Sequence, residues 1–396
     1  MQPIVVGGEK LKGKPILYLA ILCLTIFLPL IEQPAQAFTA DPRFSQRFSN
    51  ALSGPVWLHL NGLDPRADGS LLTQHYTPRS TNPVVLPSSS YFSRSRLVTA
   101  DLGGIPLQNG PTVAVNPTKP DNVVVACHDY DVWSSIVAYS SFDGGVTWRG
   151  PAPLHIPPND EFGSDPALAF DRDGNAYLAY MAVGMKPLRY GEATYYVESA
   201  DIVVAKSSDG GLTWSEPVVA VTGGGYFDPE VGVVTLFPDK PWIAIGADPM
   251  APTRDNVYIS YTEFAEVSPE PWDSPYLLTT IKVAKSTDRG ASFKTPVAAS
   301  PGKRGPTSIR SPVEANIVQG SFPAVGSDGT LYVAYYDSGV DGWLNGTYTP
   351  MIVKSSNAGV EFTAPVEIAE VAELEYVLQP TRFRAWSSMF PLLALG

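Results

Sequence analysis

SSFDGGVTW (Ser140–Trp148) and SSDGGLTW (Ser207–Trp214) are near-copies of one string. Its residues are turn formers. Asp and Ser side chains hydrogen-bond to backbone groups two to four residues on and close the chain on itself. Gly supplies backbone angles that other residues avoid. Thr returns the chain to a strand, and Trp is a large apolar plug for a sheet core. Two weaker copies follow, STDRGASF (Ser286–Phe293) and SSNAGVEF (Ser355–Phe362). The shared pattern is S-x-D-x-G-x-[ST]-[WF], with Asn357 and Glu361 as departures in the fourth copy.

A strand-like run precedes each copy: SIVAYS, DIVVAKS, TIKVAKS and PMIVKS. A second strand follows, opened by Pro in RGPAPL, SEPVVA, KTPVAA and TAPVEI. Further upstream a longer element recurs, as in SDPALAFDRDGNAYLAY and GSFPAVGSDGTLYVAYY. It reads as strand, turn, strand. Each repeat therefore predicts four antiparallel strands with the Asp-containing turn between the third and fourth. Such units, apolar on both faces, stack as the blades of a β-propeller.

The string resembles the Asp box, or BNR repeat, of the sialidase (neuraminidase) superfamily. The resemblance covers residues 105–396 and implies a six-bladed β-propeller of four-stranded blades, all-β in class. It implies that the boxes lie on the face opposite the site, so their Asp residues are structural. The activity implied is exo-sialidase-type glycoside hydrolysis of extracellular or periplasmic glycans. Asp boxes also occur in secreted non-enzymatic propellers, so the alternative is a non-catalytic propeller that binds a glycan, polymer or protein. The family's three substrate-clamping Arg do not carry over: the first strand reads GPTVAVNP where an Arg-Ile-Pro motif is expected, and Arg382 and Arg384 in TRFRAW could hold a late Arg position.

Four copies fall short of six blades. SSMFPLLALG (Ser387–Gly396) resembles the start of a fifth, so the chain reads as a propeller cut short, with a smaller ring or closure by a partner as the other readings. Residues 38–104 read as an irregular extension in which VWLHL and PVVLP could add strands.

Strand direction alternates outward through a blade. The starts of the first strands and the ends of the second therefore share the face away from the Asp-containing turns, where propeller ligands sit. These positions nominate Asp129, Asp165, Glu263 and Tyr336 as catalytic candidates. His128, Asp131, Arg310 and Asp337 are the substrate-binding candidates. Carboxylates and Tyr in this number suit a glycosidase, and calcium is the cofactor such a rim could take.

The 396 residues are 44% hydrophobic and 17% charged, with 34 Gly and 38 Pro, a mixture of short strands and turns rather than long helices. Lys10, Lys12 and Lys14 precede the apolar run Ile16–Ile31 and the AQA at Ala35–Ala37, the pattern of a cleaved signal peptide over residues 1–37 and hence of a secreted or periplasmic protein, off the membrane once cleaved. Cleavage would leave Cys127 as the lone cysteine, in the apolar run NVVVAC, so no internal disulfide is expected. The net charge, −12, would become −13, which argues against nucleic-acid binding by bulk charge. There is no P-loop, dinucleotide fingerprint, HExxH or GxSxG, and four His do not compose a zinc site.

Overall fold

The computed structural model describes Phe48 and residues 52–63, 98–99, 108–132, 135–269, 275–306, 316–339, 346–372 and 390–395. The expected signal peptide, the PVVLP run and Arg310 lie outside them.

The described chain is nearly all β. β1 (Gln108–Val115), β2 (Val123–Asp129), β3 (Ile136–Ser141) and β4 (Arg149–Pro153) form an antiparallel meander. β5 (Asp160–Phe170), β6 (Ala176–Tyr190), β7 (Ala193–Ser207) and β8 (Val218–Val221) form a second. The third has β10 (Gly232–Asp248), β11 (Ala251–Ser268), β12 (Tyr276–Ser286), β13 (Val297–Ala298) and β14 (Lys303–Pro306). The fourth has β15 (Val318–Val325), β16 (Leu331–Asp337), β17 (Thr347–Ser355), β18 (Val366–Glu367) and β19 (Val371–Ala372). No sheet closes on itself among the described residues.

The second and third meanders are not separate sheets. β9 (Gly224–Asp228) pairs parallel to β6 and antiparallel to β10, giving one ten-stranded sheet. Three glycines, Gly223–Gly225, make this join. Each leaves no room for a Cβ against a neighbouring backbone carbonyl.

Each Asp-containing turn links the third and fourth strands of its meander, and its chemistry repeats. The Ser207 hydroxyl donates to Asp209 Oδ1 at 2.7 Å and accepts from Gly211 N at 2.8 Å. Asp209 Oδ1 also accepts from Leu212 N and Thr213 N, and Oδ2 takes the Thr213 hydroxyl at 2.6 Å. Asp143 and Asp288 make the same bonds to Thr147 and Ser292. The fourth copy explains its own departures. An Asn has one acceptor oxygen, and Asn357 Oδ1 serves Ser355 and the Glu361 N–H, so the second hydroxyl donor is not needed.

The turns also stitch one meander to the one before. A Cβ on Gly211 would lie 2.6 Å from Ser140 Oγ, and one on Gly290 3.2 Å from the Tyr177 ring. The stacked faces are apolar: Val124, Ala126 and Ile136 of the first meander pack on Leu178, Tyr180 and Val203 of the second. Tyr258, Ile281 and Val283 of the third pack on Leu331, Val333 and Tyr335 of the fourth. Cys127 is buried beside Val137 and Tyr139.

These turns make the fold acid-sensitive. Hydrogen bonds from Thr147 and Ser141 hold the Asp143 carboxyl at about 2, and those from Ser292 and Ser286 hold Asp288 at about 2. At Asp209 burial pushes upward, but the donors outweigh it and the carboxyl is lowered. Folded pKa values below the unfolded value of about 3.9 stabilise the protein above that pH and stop doing so as pH falls through the folded values. We expect the melting midpoint to hold above about pH 5 and to fall steeply between about pH 4 and pH 2. A flat profile across that window would contradict the bonding described for the turns.

One expectation is corrected. VWLHL does not form a strand but lies in a helix, α1 (Gly54–Leu60). Pro55 sits in its first turn, where the missing N–H costs nothing. Val56, Leu58 and Leu60 are still buried, although they are spaced as in a strand. A helix this short reaches the sheets from more than one side, so spacing does not report its period.

Candidate functional site

The first strand of every meander carries a β-bulge at the same place. The register shifts between Asn109 and Thr112, Ser164 and Ala167, Asp239 and Trp242, and Gln319 and Phe322. The bulged residue is left-handed each time: Gly110 at φ 57°, Asp165 at 49°, Lys240 at 52° and Gly320 at 63°. Glycine adopts this conformation freely, whereas other L-residues lose about 1–2 kcal/mol in it. Two of the four positions accept that cost.

The two side chains meet. Lys240 Nζ lies 3.1 Å from Asp165 Oδ1, and the Ser164 hydroxyl donates to Asp165 Oδ2 at 2.5 Å. Burial pushes the Asp165 carboxyl up, but the Lys240 charge and the Ser164 and Ser53 hydroxyls outweigh it, and the net shift is downward. Lys240 also faces the Phe390 ring at 6.0 Å.

The segment around α1 lies over this pair. The Ser53 N–H donates to Asp239 at 3.3 Å and its hydroxyl is 3.4 Å from that of Ser164. Phe48 stacks on Phe264 at 5.4 Å, and His59 bonds Glu198 at 2.9 Å. Phe48 and residues 52–63 are thus folded onto the sheets rather than trailing from them.

The second-strand ends face the first-strand starts in the first and fourth meanders, as alternation of strand direction requires, whereas Glu263 lies within β11, which runs on to Ser268. Asp129 pairs with Gln108, Glu263 with Pro238, Asp337 with Val318 and Tyr336 with Gln319. The carboxylates are occupied. Asp129 accepts from Gln108 Nε2 at 2.8 Å and from the Asp131 N–H at 2.9 Å. Glu263 is 2.6 Å from Lys282 Nζ, and Asp337 is ion-paired with Lys303. His128 is buried with its ring 4.3 Å from that of Tyr130, while Asp131 is exposed. Tyr336 is fully buried, stacked on Tyr348 at 4.8 Å and edge-on to Phe390. Among the described nominated residues, Asp165 joins the second and third meanders through Lys240, and Asp337 joins the fourth to the third through Lys303.

Sequence reasoning placed Lys240 at this level and left it unassigned. It did not find Lys186, buried between Asp160 at 2.6 Å and Asp201 at 2.9 Å. The inward positions of β6 were the available signal: a Lys there, beside Leu188, must find an anion. Burial pushes the Asp160 carboxyl up more than Lys186 pulls it down.

A general acid for glycoside cleavage needs a protonated, reachable carboxyl, and a tyrosine nucleophile needs a lowered pKa. Asp165 is shifted the other way. Tyr261, beside Glu263, is raised well above its ordinary value by burial and by the Glu263 charge. Among the described residues no three His, Cys, Asp or Glu side chains gather to hold a metal ion, calcium included, and no helix is long and apolar enough to cross a membrane.

No protein-family model and no curated protein sequence matches the chain. Solved structures are similar to it at low identity. A protein of unknown function from Dyadobacter fermentans aligns over 66% of this chain and 68% of its own, at 16% identity and TM-score 0.42. The alpha-L-arabinanase of Penicillium chrysogenum aligns over 65% and 67%, at 14% identity and TM-score 0.40. A mutant sialidase of Streptococcus pneumoniae aligns over 74% of this chain but 56% of its own, at 10% identity and TM-score 0.43.

Proposed function

We propose that the chain is an exported β-propeller of four-stranded blades that binds a glycan at the mouth marked by Asp165 and Lys240. One observation carries the reading. Where two meanders have glycine at the bulge, the other two hold charged side chains in a strained conformation and aim them at each other. Strain kept against an available glycine solution marks a position used for something other than stability. An ion pair with adjoining hydroxyls offers donors and acceptors of the kind a sugar's hydroxyls take up. The leader-like sequence of residues 1–37 supports export.

Binding is favoured over cleavage because Asp165 and Glu263 are ion-paired, Asp129 is hydrogen-bonded to Gln108 and Tyr336 is buried. Exo-sialidase-type hydrolysis is the second reading, supported by the likeness of the turns to Asp boxes. Calorimetric titration with a panel of sialylated and neutral oligosaccharides, run beside an aryl-sialoside assay, separates the two. Saturable binding without aglycone release is expected. Release that disappears in Glu263→Gln would establish hydrolysis instead.

A further inference from the structure

The β6–β7 hairpin and β9 extend the second meander into a wall. One face of this wall is packed, with Leu188 and Val197 fully buried. Register identifies the other. Pro187 pairs with Tyr196, Arg189 with Thr194 across the hairpin, and Arg189 with Tyr226 on β9. Directly paired residues share a face, and so do residues two apart on a strand. Pro187, Arg189, Tyr196 and Tyr226 therefore stand on one side, and that side is open: Tyr196 is 58% exposed and Tyr226 46%.

We propose that this face is a platform for an acidic oligosaccharide, stacked on Tyr196 and Tyr226 and held through its carboxylates by Arg189. The glycan class rests on the reading above, whereas the place and the charge are new. The two rings flank β6, two strand spacings apart and two residues offset, which sets them about 12 Å apart, room for a short run of linked sugar rings. An exposed tyrosine presents an apolar face with a polar tip, suited to a ligand that is apolar on its ring faces and polar at its rim. The packed face behind and the glycines of the β9 join hold the tyrosine-bearing strands in place, so little order has to be bought on binding.

Charge decides between neutral and acidic sugars. The chain is acidic overall, yet Arg189 makes no ion pair among the described residues. Across β10 and β11 this face is packed: Tyr226 pairs with Val234, Val234 with Val267 and Val267 with Tyr276, and both valines are buried. There a second exposed guanidinium, Arg304, lies 3.7 Å over the Tyr276 ring. Of the acids whose charges act on Tyr226, Glu263 is held by Lys282 and Asp228 accepts from the Glu230 N–H. Arg189, exposed between Tyr196 and Tyr226 and without an ion pair among the described residues, suits a ligand that carries carboxylates.

The test is affinity electrophoresis of the full chain in gels containing polygalacturonate or a neutral glucan. The wild type is expected to be retarded by the polyuronate and not by the glucan. Tyr196→Ala/Tyr226→Ala and Arg189→Gln should each weaken retardation about tenfold or more, with melting midpoints within about 2 °C of wild type, as these are surface positions. Met250→Ala, at an exposed side chain outside both the mouth and the platform, is the control and should leave it in place. Retardation unchanged in the platform variants overturns the proposal. Loss in Lys240→Gly alone moves the polymer to the mouth, overturning the platform while sparing the glycan reading. Equal retardation by both polymers overturns the acidic assignment. No retardation by either, with oligosaccharides still bound in calorimetry, overturns the platform, and the face is then one for a protein partner.

Discussion

Gly224→Ala should be among the most damaging single substitutions in this protein, lowering stability by more than about 4 kcal/mol. Two effects add. The residue sits at φ 90°, where an alanine is strained. Its Cβ would lie 2.1 Å from the Pro187 carbonyl oxygen and 3.2 Å from Lys186 Cβ. A carbonyl inside a strand ladder cannot step aside without breaking the ladder, so β9 would have to leave β6. That would separate the second and third meanders and remove Tyr226 from the wall. Gly191→Ala is the control. It has φ 58° at the β6–β7 turn but open space around it, so it should lose only the backbone term, about 1–2 kcal/mol. Urea unfolding of both variants measures the difference. Equal midpoints would show that β9 is not seated as described.

Lys240→Gly should separate stability from ligand binding. Removing one partner of a largely buried ion pair commonly costs about 3–5 kcal/mol. Relief of the left-handed backbone returns about 1–2 kcal/mol, and Asp165 keeps its Ser164 bond. A net loss of about 2 kcal/mol is expected, with glycan affinity reduced more than about tenfold. The double variant Asp165→Gly/Lys240→Gly is the sharper case. It removes both charges together and makes all four bulges alike, so its stability should return to within about 1 kcal/mol of wild type while binding stays lost. A double variant as unstable as the single one, or one that still binds, would assign the pair to scaffolding.

How much of this was legible follows from the range of the forces involved. The Asp-containing turns could be read directly, since every bond that defines one falls within eight residues. Even the exchange of Asp for Asn at 357, matched by Glu at 361, follows from counting acceptor oxygens within that window. The paired strands around each turn were equally visible in their apolar runs. Alternating strand direction also accounts for Asp129 and Asp337, at the ends of their second strands and opposite the starts of the first.

Other features rest on partners far apart in the chain, and these the string of residues does not show. The VWLHL run alternates like a strand, but Pro55 and the sheets it meets make it a helix. β9 is not visible as a strand, because its Gly-rich run has no strand propensity of its own and is held by β6 and β10 on either side. Lys186 acquires Asp160 and Asp201, and Asp165 acquires Lys240 from 75 residues away. A carboxylate at a strand end reads the same in sequence whether free to act or neutralised by a distant lysine. Sequence by itself determined the turns, the strands and the side of the sheets on which a site could lie, because those follow from local hydrogen bonding and periodicity. Tertiary structure alone decided which charges cancel, which tyrosines are reachable and which meanders fuse, because those depend on what packing brings within a few ångströms.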